Sequence, residues 1–198
     1  MRVGLTGGIA SGKSVAAETL RQLGLVVIDY DRLARQAIDG SALAKVVEAF
    51  GVDILGSDGK VDRLALAELV FADASVRQKL ESIIHPLVYQ AAAEEEATAI
   101  ASGQSLIIHE IPLLTEVGDV EAFDIVILVD APAELRLQRL IEDRKLTPIE
   151  AKHRLEAQAS DDQRRAVADV IWNGAASEAE LRAQVKNWVQ ERKEDEIK

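Results

Sequence analysis

The sequence predicts an α/β protein built on a doubly wound parallel sheet of about five strands. Two observations carry this prediction. Short runs rich in β-branched residues alternate with helical sequence, a pattern typical of parallel strands that are covered on both faces. A glycine-rich turn joins the first such run to the first predicted helix, as in folds that bind ligands at the carboxyl edge of the sheet.

The predicted strands are Arg2 to Thr6, Leu25 to Asp29, Ser105 to Glu110, Asp124 to Asp130 and a shorter run from Ala168 to Trp172. Helical sequence follows each strand, directly or after a loop. Because the carboxyl ends of parallel strands share one edge of the sheet, the site residues are expected just after these runs.

Length, composition and charge restrict the class of protein. A chain of 198 residues is long enough to bury a sizeable core as one domain with an insertion. It contains no cysteine, which excludes disulfides, thiolate zinc sites and cysteine nucleophiles. No apolar leader is visible and no apolar run approaches the roughly 20 residues of a membrane span, so a cytoplasmic protein without membrane contact is expected. The net charge of −11 argues against a nucleic-acid partner.

A phosphate-binding motif follows the first strand. The segment "GGIASGKS", from Gly7 to Ser14, fits G-x-x-x-x-G-K-[ST] between a predicted strand and a predicted helix. Glycines let the loop turn its amide N–H groups around a phosphate, and the helix N-terminus adds partial positive charge. Lys13 is expected to reach the β- and γ-phosphates, and Ser14 to coordinate Mg²⁺. The motif predicts a nucleotide site of the P-loop NTPase class, and a glycine-rich turn that binds nothing is the alternative.

A long helical region separates the second and third predicted strands. "SALAKVVEAF" is expected to begin at an N-cap, Ser41, and "DRLALAELVF" behind Asp62, with a turn at "GSDGK" between them. A further helical stretch, Ser75 to Ala101, contains Pro86, which is expected to end or kink it. We interpret this region as an insertion subdomain that helps to form an acceptor pocket, with a purely structural insertion as the alternative.

Three arginines follow the fourth strand. Arg136, Arg139 and Arg144 are expected around the end of a helix, and "KLTP" ends it before a new helix capped at Thr147. Guanidinium groups grip phosphoryl oxygens in pairs, and a mobile lid excludes water from a transferring group. The segment therefore predicts a phosphate-covering lid. A solvated helix face with ion pairs, such as Glu142 with Arg139, is the alternative.

Six segments in order carry a resemblance to a known family: "GLTGGIASGKS", "VIDYDRLAR", "IIHPLV", "IPLLTE", "RLQRLIEDR" and "AQASDDQRRAVADVIWN". Over nearly its whole length the chain resembles the dephospho-CoA kinase family. The resemblance implies that ATP, with Mg²⁺, phosphorylates the 3′-hydroxyl of dephospho-CoA in the last step of coenzyme A biosynthesis. It also implies one P-loop kinase domain over residues 1–198, with a helical CoA-binding insertion at 32–103 and a lid at 139–160.

The resemblance implies roles for single residues. Asp31 matches the catalytic carboxylate that meets the acceptor hydroxyl, and Lys13 and Arg139 complete the catalytic set, with Arg139 on the transferring phosphate. The nucleotide-binding set is Gly8, Ala10, Ser11, Gly12, Lys13, Ser14, Val15, Arg139 and Asn173, the last near the adenine. The acceptor-binding set is Asp31, Arg35, His85, Pro86, Leu113 and Glu116.

The chain departs from the family pattern at three places. Ala10 stands where the family usually has glycine, Thr115 replaces a larger apolar residue, and "GAAS" follows Asn173 without the usual glycine one position later. None of these changes touches the expected chemistry.

Several assignments stay open on sequence alone. A kinase for another small hydroxyl or nucleotide acceptor is the alternative function, whereas a GTPase switch is disfavoured because no N-K-x-D signature is present. Asp29 is expected to support the site and Tyr30 to pack. Glu110 and Asp130, which end apolar runs, are expected either to support a metal site or to be N-caps or solvated groups. A monomer or small homo-oligomer is expected.

Overall fold

The computed structural model describes residues 1–117 and 119–195. The described helices and strands follow one another in the order β1 (Arg2–Thr6), α1 (Lys13–Gln22), β2 (Val26–Asp29), α2 (Tyr30–Asp39), α3 (Leu43–Phe50), α4 (Arg63–Ala72), α5 (Ala74–Ala101), β3 (Ile107–Glu110), α6 (Leu114–Val117), β4 (Ile125–Asp130), α7 (Ala133–Glu142), α8 (Pro148–Glu156), α9 (Asp161–Ala166), β5 (Val170–Asn173) and α10 (Glu178–Asp195). The chain divides into two compact units, one formed by Met1–Ile28 with Ala99–Lys198 and the other by Asp29–Thr98.

The described strands form one five-stranded parallel sheet in the order β2-β3-β1-β4-β5. β1 lies at its centre, and pairs with β3 from Arg2 opposite Ile107 and with β4 from Val3 opposite Ile125. The chain leaves β1 toward β2 on one side and later crosses to β4 and β5 on the other. The strand order therefore reverses beside β1, which is where open α/β sheets bind ligands. The predicted doubly wound fold is confirmed.

One face of the sheet is covered by α1 and α10. Leu5 of β1, Leu20 of α1 and Val185 of α10 are fully buried in a common apolar cluster, which Trp172 and Trp188 extend with their rings 5.9 Å apart. The opposite face is equally close-packed: a Cβ added at Gly4 of β1 would lie 3.0 Å from Leu114 Cδ2 and 3.2 Å from Phe123 Cγ. β1 and β4 are almost entirely buried, which matches the apolar composition expected of parallel strands that are covered on both faces.

The second unit is helical and has its own small core. Val46 of α3, Ile54, Leu66 of α4 and Leu80 of α5 are buried together. Asp62 caps α4 as expected, since its side chain accepts from the backbone N–H groups of the second and third helical residues. The turn at 56–60 is also confirmed, with the Gly56 N–H donating to the Lys60 carbonyl at 2.8 Å.

Three expectations for local structure were wrong. Ser41 does not cap α3, which begins at Leu43 with Ala42 at the N-cap position and no side-chain hydrogen bond. Pro86 does not end α5, which continues through it, and the alternative of a kink stays a prediction. A proline removes one helical hydrogen bond, and here the affected Ser82 carbonyl belongs to an exposed residue that water can reach. Arg136 lies in the first half of α7 and not near its end.

Candidate active site

The phosphate loop joins β1 to α1 and is shaped by its glycines. A Cβ added at Gly7 would lie 2.6 Å from Ser11 Oγ and 2.7 Å from the Val129 carbonyl oxygen, so no larger residue fits there. Gly12, at the N-cap of α1, has φ 102°, a left-handed conformation that glycine adopts without strain. The loop therefore folds back over the end of β1 and leads into the N-terminus of α1, where the helix dipole favours an anion.

Ala10 adopts a left-handed conformation within this loop, with φ 62°. Its carbonyl accepts a hydrogen bond from Arg139 Nη1 at 3.1 Å, and Arg139 Nη2 donates to the Gly174 carbonyl at 2.9 Å. Arg139 is thus half-buried against the phosphate loop and is not part of a solvated helix face. Gly174 also packs closely against the loop: a Cβ added there would lie 2.0 Å from the Ser11 carbonyl oxygen, so no larger residue fits.

The motif lysine is held by the last residue of β3. Lys13 Nζ donates to Glu110 Oε1 at 2.6 Å, and Arg21 Nη2 donates to Glu110 Oε2 at 2.9 Å. The neighbouring His109 is fully buried, and this burial, followed by the positive charge of Arg2, lowers its pKa from 6.5 to about 4. His109 is therefore neutral at neutral pH, and the group formed by Lys13, Arg21 and Glu110 carries a net positive charge.

Two buried arginines lie beside Gly8. Arg136 and Arg164 are each 3% exposed, and both donate to the same oxygen of Asp161. Arg136 Nε also donates to the Ala131 carbonyl at 2.9 Å, and Arg164 Nη1 donates to the Ala159 carbonyl. A Cβ added at Gly8 would lie 2.5 Å from Arg136 Nη1. With two guanidinium groups and one carboxylate, this cluster adds positive charge next to the loop.

The loop fits the phosphates of ATP. Ser11 Oγ and Arg136 Nη1 are buried polar atoms that have no hydrogen-bond partner within the described residues, and Gly7 and Gly8 place no side chain against them. Donors and cations therefore outnumber the acceptors around the loop, as an anion site requires. The overall charge of −11 does not oppose this, because a local site can focus positive potential.

The phosphate motif predicts one side-chain oxygen for Mg²⁺, the hydroxyl of Ser14. Ser14 is exposed on the first turn of α1. Within the described ranges, no group of three or more histidine or acidic side chains is arranged to hold a metal ion. Mg²⁺ prefers oxygen ligands and retains several waters in nucleotide sites, so Ser14 together with nucleotide phosphates fits this ion.

The end of the predicted lid also contacts the phosphate loop. The Ile9 N–H donates to Gln158 Oε1 at 2.8 Å. Ala159, which follows Gln158, donates its N–H to Glu116 Oε1 at 2.8 Å.

Thr147 caps α8 with a complete capping box, as expected. Leu113 is 42% exposed in the turn before α6, and its carbonyl accepts from the Glu116 N–H at 3.1 Å.

Asn173 and Asp130 end neighbouring strands. Asn173 is exposed, and its side-chain oxygen accepts from the Ala175 N–H at 2.9 Å. This bond fixes the turn after β5. Asp130 Oδ2 accepts from Arg165 Nε at 2.8 Å, so this carboxylate belongs to an ion pair.

In the helical unit, the predicted acceptor residues occupy two helices. Asp29 caps α2, accepting from the Arg32 N–H at 2.9 Å, and the strand therefore ends before Tyr30. Asp31 lies in the first turn of α2 and is exposed; Arg35, also exposed, follows one turn later on the same face. Asp29 is therefore the N-cap of α2, and its support of the site stays a prediction.

The second helix of this group is α5. His85 is half-buried and its ring lies 6.0 Å from that of Tyr89, while Pro86 is exposed. Tyr89 in turn contacts Tyr30 edge to face, with ring centroids 6.2 Å apart. Tyr30 therefore packs, as expected, and this aromatic contact orients α2 against α5.

Sequence reasoning missed several residues of the site. Glu110 was considered only as one of several strand-end carboxylates, and Asp161, Arg164, Gln158 and Gly174 were given no individual role. The signal for Glu110 was its position at the end of an apolar run at the ligand edge of the sheet. The others lie in helices or turns, where a linear pattern cannot reveal their contacts with the loop.

The parallel sheet, the glycine loop with Lys13 and the arginines around it define a P-loop kinase. The family model described as "Dephospho-CoA kinase" matches residues 1–180. The chain therefore belongs to the dephospho-CoA kinase family, a family of ATP-dependent kinases of coenzyme A biosynthesis.

Individual relatives agree with this assignment. The dephospho-CoA kinase of Cutibacterium acnes is 48% identical over 175 residues, which cover 86% of this chain and 75% of that protein. The dephospho-CoA kinase of Mycolicibacterium paratuberculosis is 46% identical over 91% of this chain, and the chain spans only 44% of that relative's length. The solved dephospho-CoA kinase of Campylobacter jejuni is 30% identical, with a TM-score of 0.74 over 98% of both chains.

Proposed function

We propose that this chain transfers the γ-phosphoryl group of ATP to the 3′-hydroxyl of dephospho-CoA, yielding coenzyme A and ADP. The observation that carries the proposal is the phosphate loop Gly7–Ser14 between β1 and α1, with Lys13 at the helix start, in a chain of the dephospho-CoA kinase family. Dephospho-CoA is the substrate that the family membership implies.

The residues of the first unit act on the nucleotide. In a loose, highly charged transition state, catalysis is mainly alignment and neutralisation of charge. The loop amides and Lys13 hold the phosphates, Ser14 holds Mg²⁺, and Asn173 lies at the adenine. Arg139 contacts the transferring phosphoryl group, for which its position against Ala10 is the support. Mg²⁺, when bound, neutralises phosphate charge.

The helical unit is proposed to hold the acceptor, as the CoA-binding insertion of the kinase, with residues 139–160 as the lid. Asp31 orients the ribose hydroxyl and accepts its proton, a moderate contribution because bond formation lags in a loose transition state. Arg35, His85 and Pro86 bind the acceptor together with Leu113 and Glu116. We further propose that the protein acts in the cytoplasm as a monomer or small homo-oligomer. Among the described helices, none has the length and apolar composition that crossing a membrane demands.

The proposal is tested with a panel of acceptors. Purified protein with ATP and Mg²⁺ is mixed with dephospho-CoA, shikimate, AMP or no acceptor, and ADP release is followed. Release is expected to be fastest with dephospho-CoA, and NMR of the product should place the new phosphate on the 3′-oxygen. Equal rates with all acceptors would exclude the proposed function, and a preference for shikimate or AMP would identify a kinase for another small acceptor.

Two variants test the proposed division of roles. Asp31→Asn should lower kcat while ATP binding measured by calorimetry is retained, whereas Lys13→Ala should weaken both. Asp53→Asn, which removes the same charge from an exposed position of the helical unit, is the matched control and should behave like the unmodified protein. Full activity of Asp31→Asn would transfer the carboxylate role to Asp29.

A further inference from the structure

Two residues at opposite ends of the proposed lid hold adjacent residues of the phosphate loop. Arg139 donates to the Ala10 carbonyl at 3.1 Å, and Gln158 Oε1 accepts from the Ile9 N–H at 2.8 Å. Ile9 and Ala10 are therefore held from both sides by side chains that lie far away in the sequence. The contact of Gln158 is the less expected of the two, because a neutral side chain binds a backbone amide of an anion-binding loop.

The loop needs this support at Ala10. An L-residue with a side chain in the left-handed region carries a conformational cost, which glycine avoids. Ala10 has φ 62° and so pays that cost, and a strained conformation persists only where surrounding contacts enforce it. The bond from the Ile9 N–H to Gln158 fixes the residue immediately before the strained one.

Gln158 is itself firmly placed. The N–H of the following residue, Ala159, donates to Glu116 Oε1, and the carbonyl of Ala159 accepts from the buried Arg164. Arg164 shares Asp161 with the buried Arg136. Both of these bonds are made by Ala159, and the Gln158 N–H itself donates to the Leu155 carbonyl at 3.2 Å, so the backbone at 158–159 is held in place, as a positioning residue requires.

We propose that Gln158 is a positioning residue that holds the phosphate loop in its ATP-binding conformation by accepting the Ile9 N–H and so stabilising the left-handed Ala10. The side chain suits this role because an amide oxygen accepts a hydrogen bond without adding negative charge beside the phosphates. This inference rests on the proposed function in one respect, namely that the bound nucleotide is ATP.

The test is a double-mutant cycle between Gln158 and Ala10. Gln158→Met removes the acceptor at similar side-chain length, and Ala10→Gly removes the conformational cost. Alone, Gln158→Met should raise the Kd for ATP with Mg²⁺, measured by calorimetry, by about tenfold, the effect of one lost hydrogen bond. In the Ala10→Gly background, Gln158→Met should raise the Kd for ATP less than about threefold. Glycine adopts the left-handed conformation without strain and so does not need the hydrogen bond from Ile9 to Gln158.

A second readout is independent of nucleotide. In the nucleotide-free protein, the Ile9 amide should exchange with solvent faster in Gln158→Met than in the unmodified protein, as measured by NMR. Gln158→Glu keeps an acceptor and should restore the slow exchange. Gln138→Ala is the matched control, since Gln138 is exposed and donates to Glu142 on its own helix α7, and it should change neither measurement.

Unchanged ATP affinity of Gln158→Met, or an equal loss of affinity in both backgrounds, would overturn the inference. Should Gln158→Met fail to fold, Gln158→Asn, which is one carbon too short to reach Ile9, takes its place with the same expected results. Failure of the proposed function is recognised separately, because it is read from the acceptor panel with the unmodified protein, whereas this cycle reads ATP binding and amide exchange alone.

Discussion

Lys13 Nζ lies 2.6 Å from Glu110 Oε1, and the two side chains are only 14% and 9% exposed. The lysine of the phosphate motif is therefore paired with a carboxylate from the adjacent strand β3, which also binds Arg21. The pair keeps the Lys13 ammonium at the carboxyl edge of the sheet.

Removal of Glu110 is expected to destabilise the protein. Glu110→Ala leaves Lys13 and Arg21 without their common carboxylate, and breaking a largely buried pair costs about 2 kcal/mol or more in the free energy of unfolding. Urea unfolding measures the change. Glu18→Ala is the control, because Glu18 pairs with Arg182 at an exposed site where ion pairs contribute about 0.5 kcal/mol. Equal unfolding midpoints for the two variants would show that the pair with Lys13 does not stabilise the fold.

Gly174 is expected to tolerate no side chain. A Cβ at this position would lie 2.0 Å from the Ser11 carbonyl oxygen and 3.0 Å from that of Asp130, so Gly174→Ala must displace the phosphate loop. We expect a loss of ATP affinity of about tenfold or more together with a lower melting temperature. Gly56→Ala, in an exposed turn where the nearest atom is a flexible Asp58 oxygen at 3.2 Å, is the matched control. Normal ATP affinity of Gly174→Ala would mean that the loop shape does not depend on this contact.

Arg139 is expected to act in turnover more than in nucleotide binding. If it stabilises the transferring phosphoryl group as arginine fingers do, Arg139→Ala should lower kcat by about 10³-fold. Arg139→Lys should recover little, because a single ammonium cannot reproduce the fork that binds the carbonyls of Ala10 and Gly174. Steady-state kinetics with separate kcat and KM values measure both variants. Arg154→Ala, an exposed arginine on α8, should keep normal kcat, and a comparable loss in both variants would point to a general charge effect.

His109 is expected to make stability depend on pH. Its pKa is lowered from 6.5 to about 4 in the folded protein, mainly by burial and then by Arg2, so the unfolded chain binds more protons between these values. The stability that the neutral ring provides is complete above pH 6.5 and is lost as the pH falls toward 4. In this pH range the free energy of unfolding falls by up to about 1.4 kcal/mol for each pH unit.

The measurement compares the free energy of unfolding across this pH range in the unmodified protein and in His109→Leu, which cannot titrate. The slope should be smaller in His109→Leu and unchanged in His153→Gln, whose side chain is exposed on α8. Identical slopes for His109→Leu and the unmodified protein would exclude His109 as the source of the pH dependence.

The sheet was predictable because its signal is local. The five β-branched runs coincide with the five strands to within two residues at each end, since buried parallel strands must be apolar on both faces. The phosphate motif was predictable for a similar reason: "GGIASGKS" contains the glycines and the lysine within eight consecutive positions. The Asp62 and Thr147 caps also depend on neighbouring residues alone.

The errors occurred where the outcome depends on surroundings. Pro86 was expected to interrupt α5, but exposure of the affected turn allows the helix to continue. Arg136 was expected around the end of its helix, yet it lies in the first half of α7 and is buried against Asp161.

The sequence by itself determined the order of the strands along the chain, the phosphate loop with its lysine, and the family resemblance, because each is written in contiguous residues. Only the tertiary structure decided that Glu110 holds Lys13, that Gln158 and Arg139 hold the strained turn at Ala10, and that two arginines share Asp161 beside Gly8. These contacts join residues that are distant in sequence. Their partners are chosen by burial and charge in three dimensions, where an uncompensated buried group is costly, and no linear spacing records that choice.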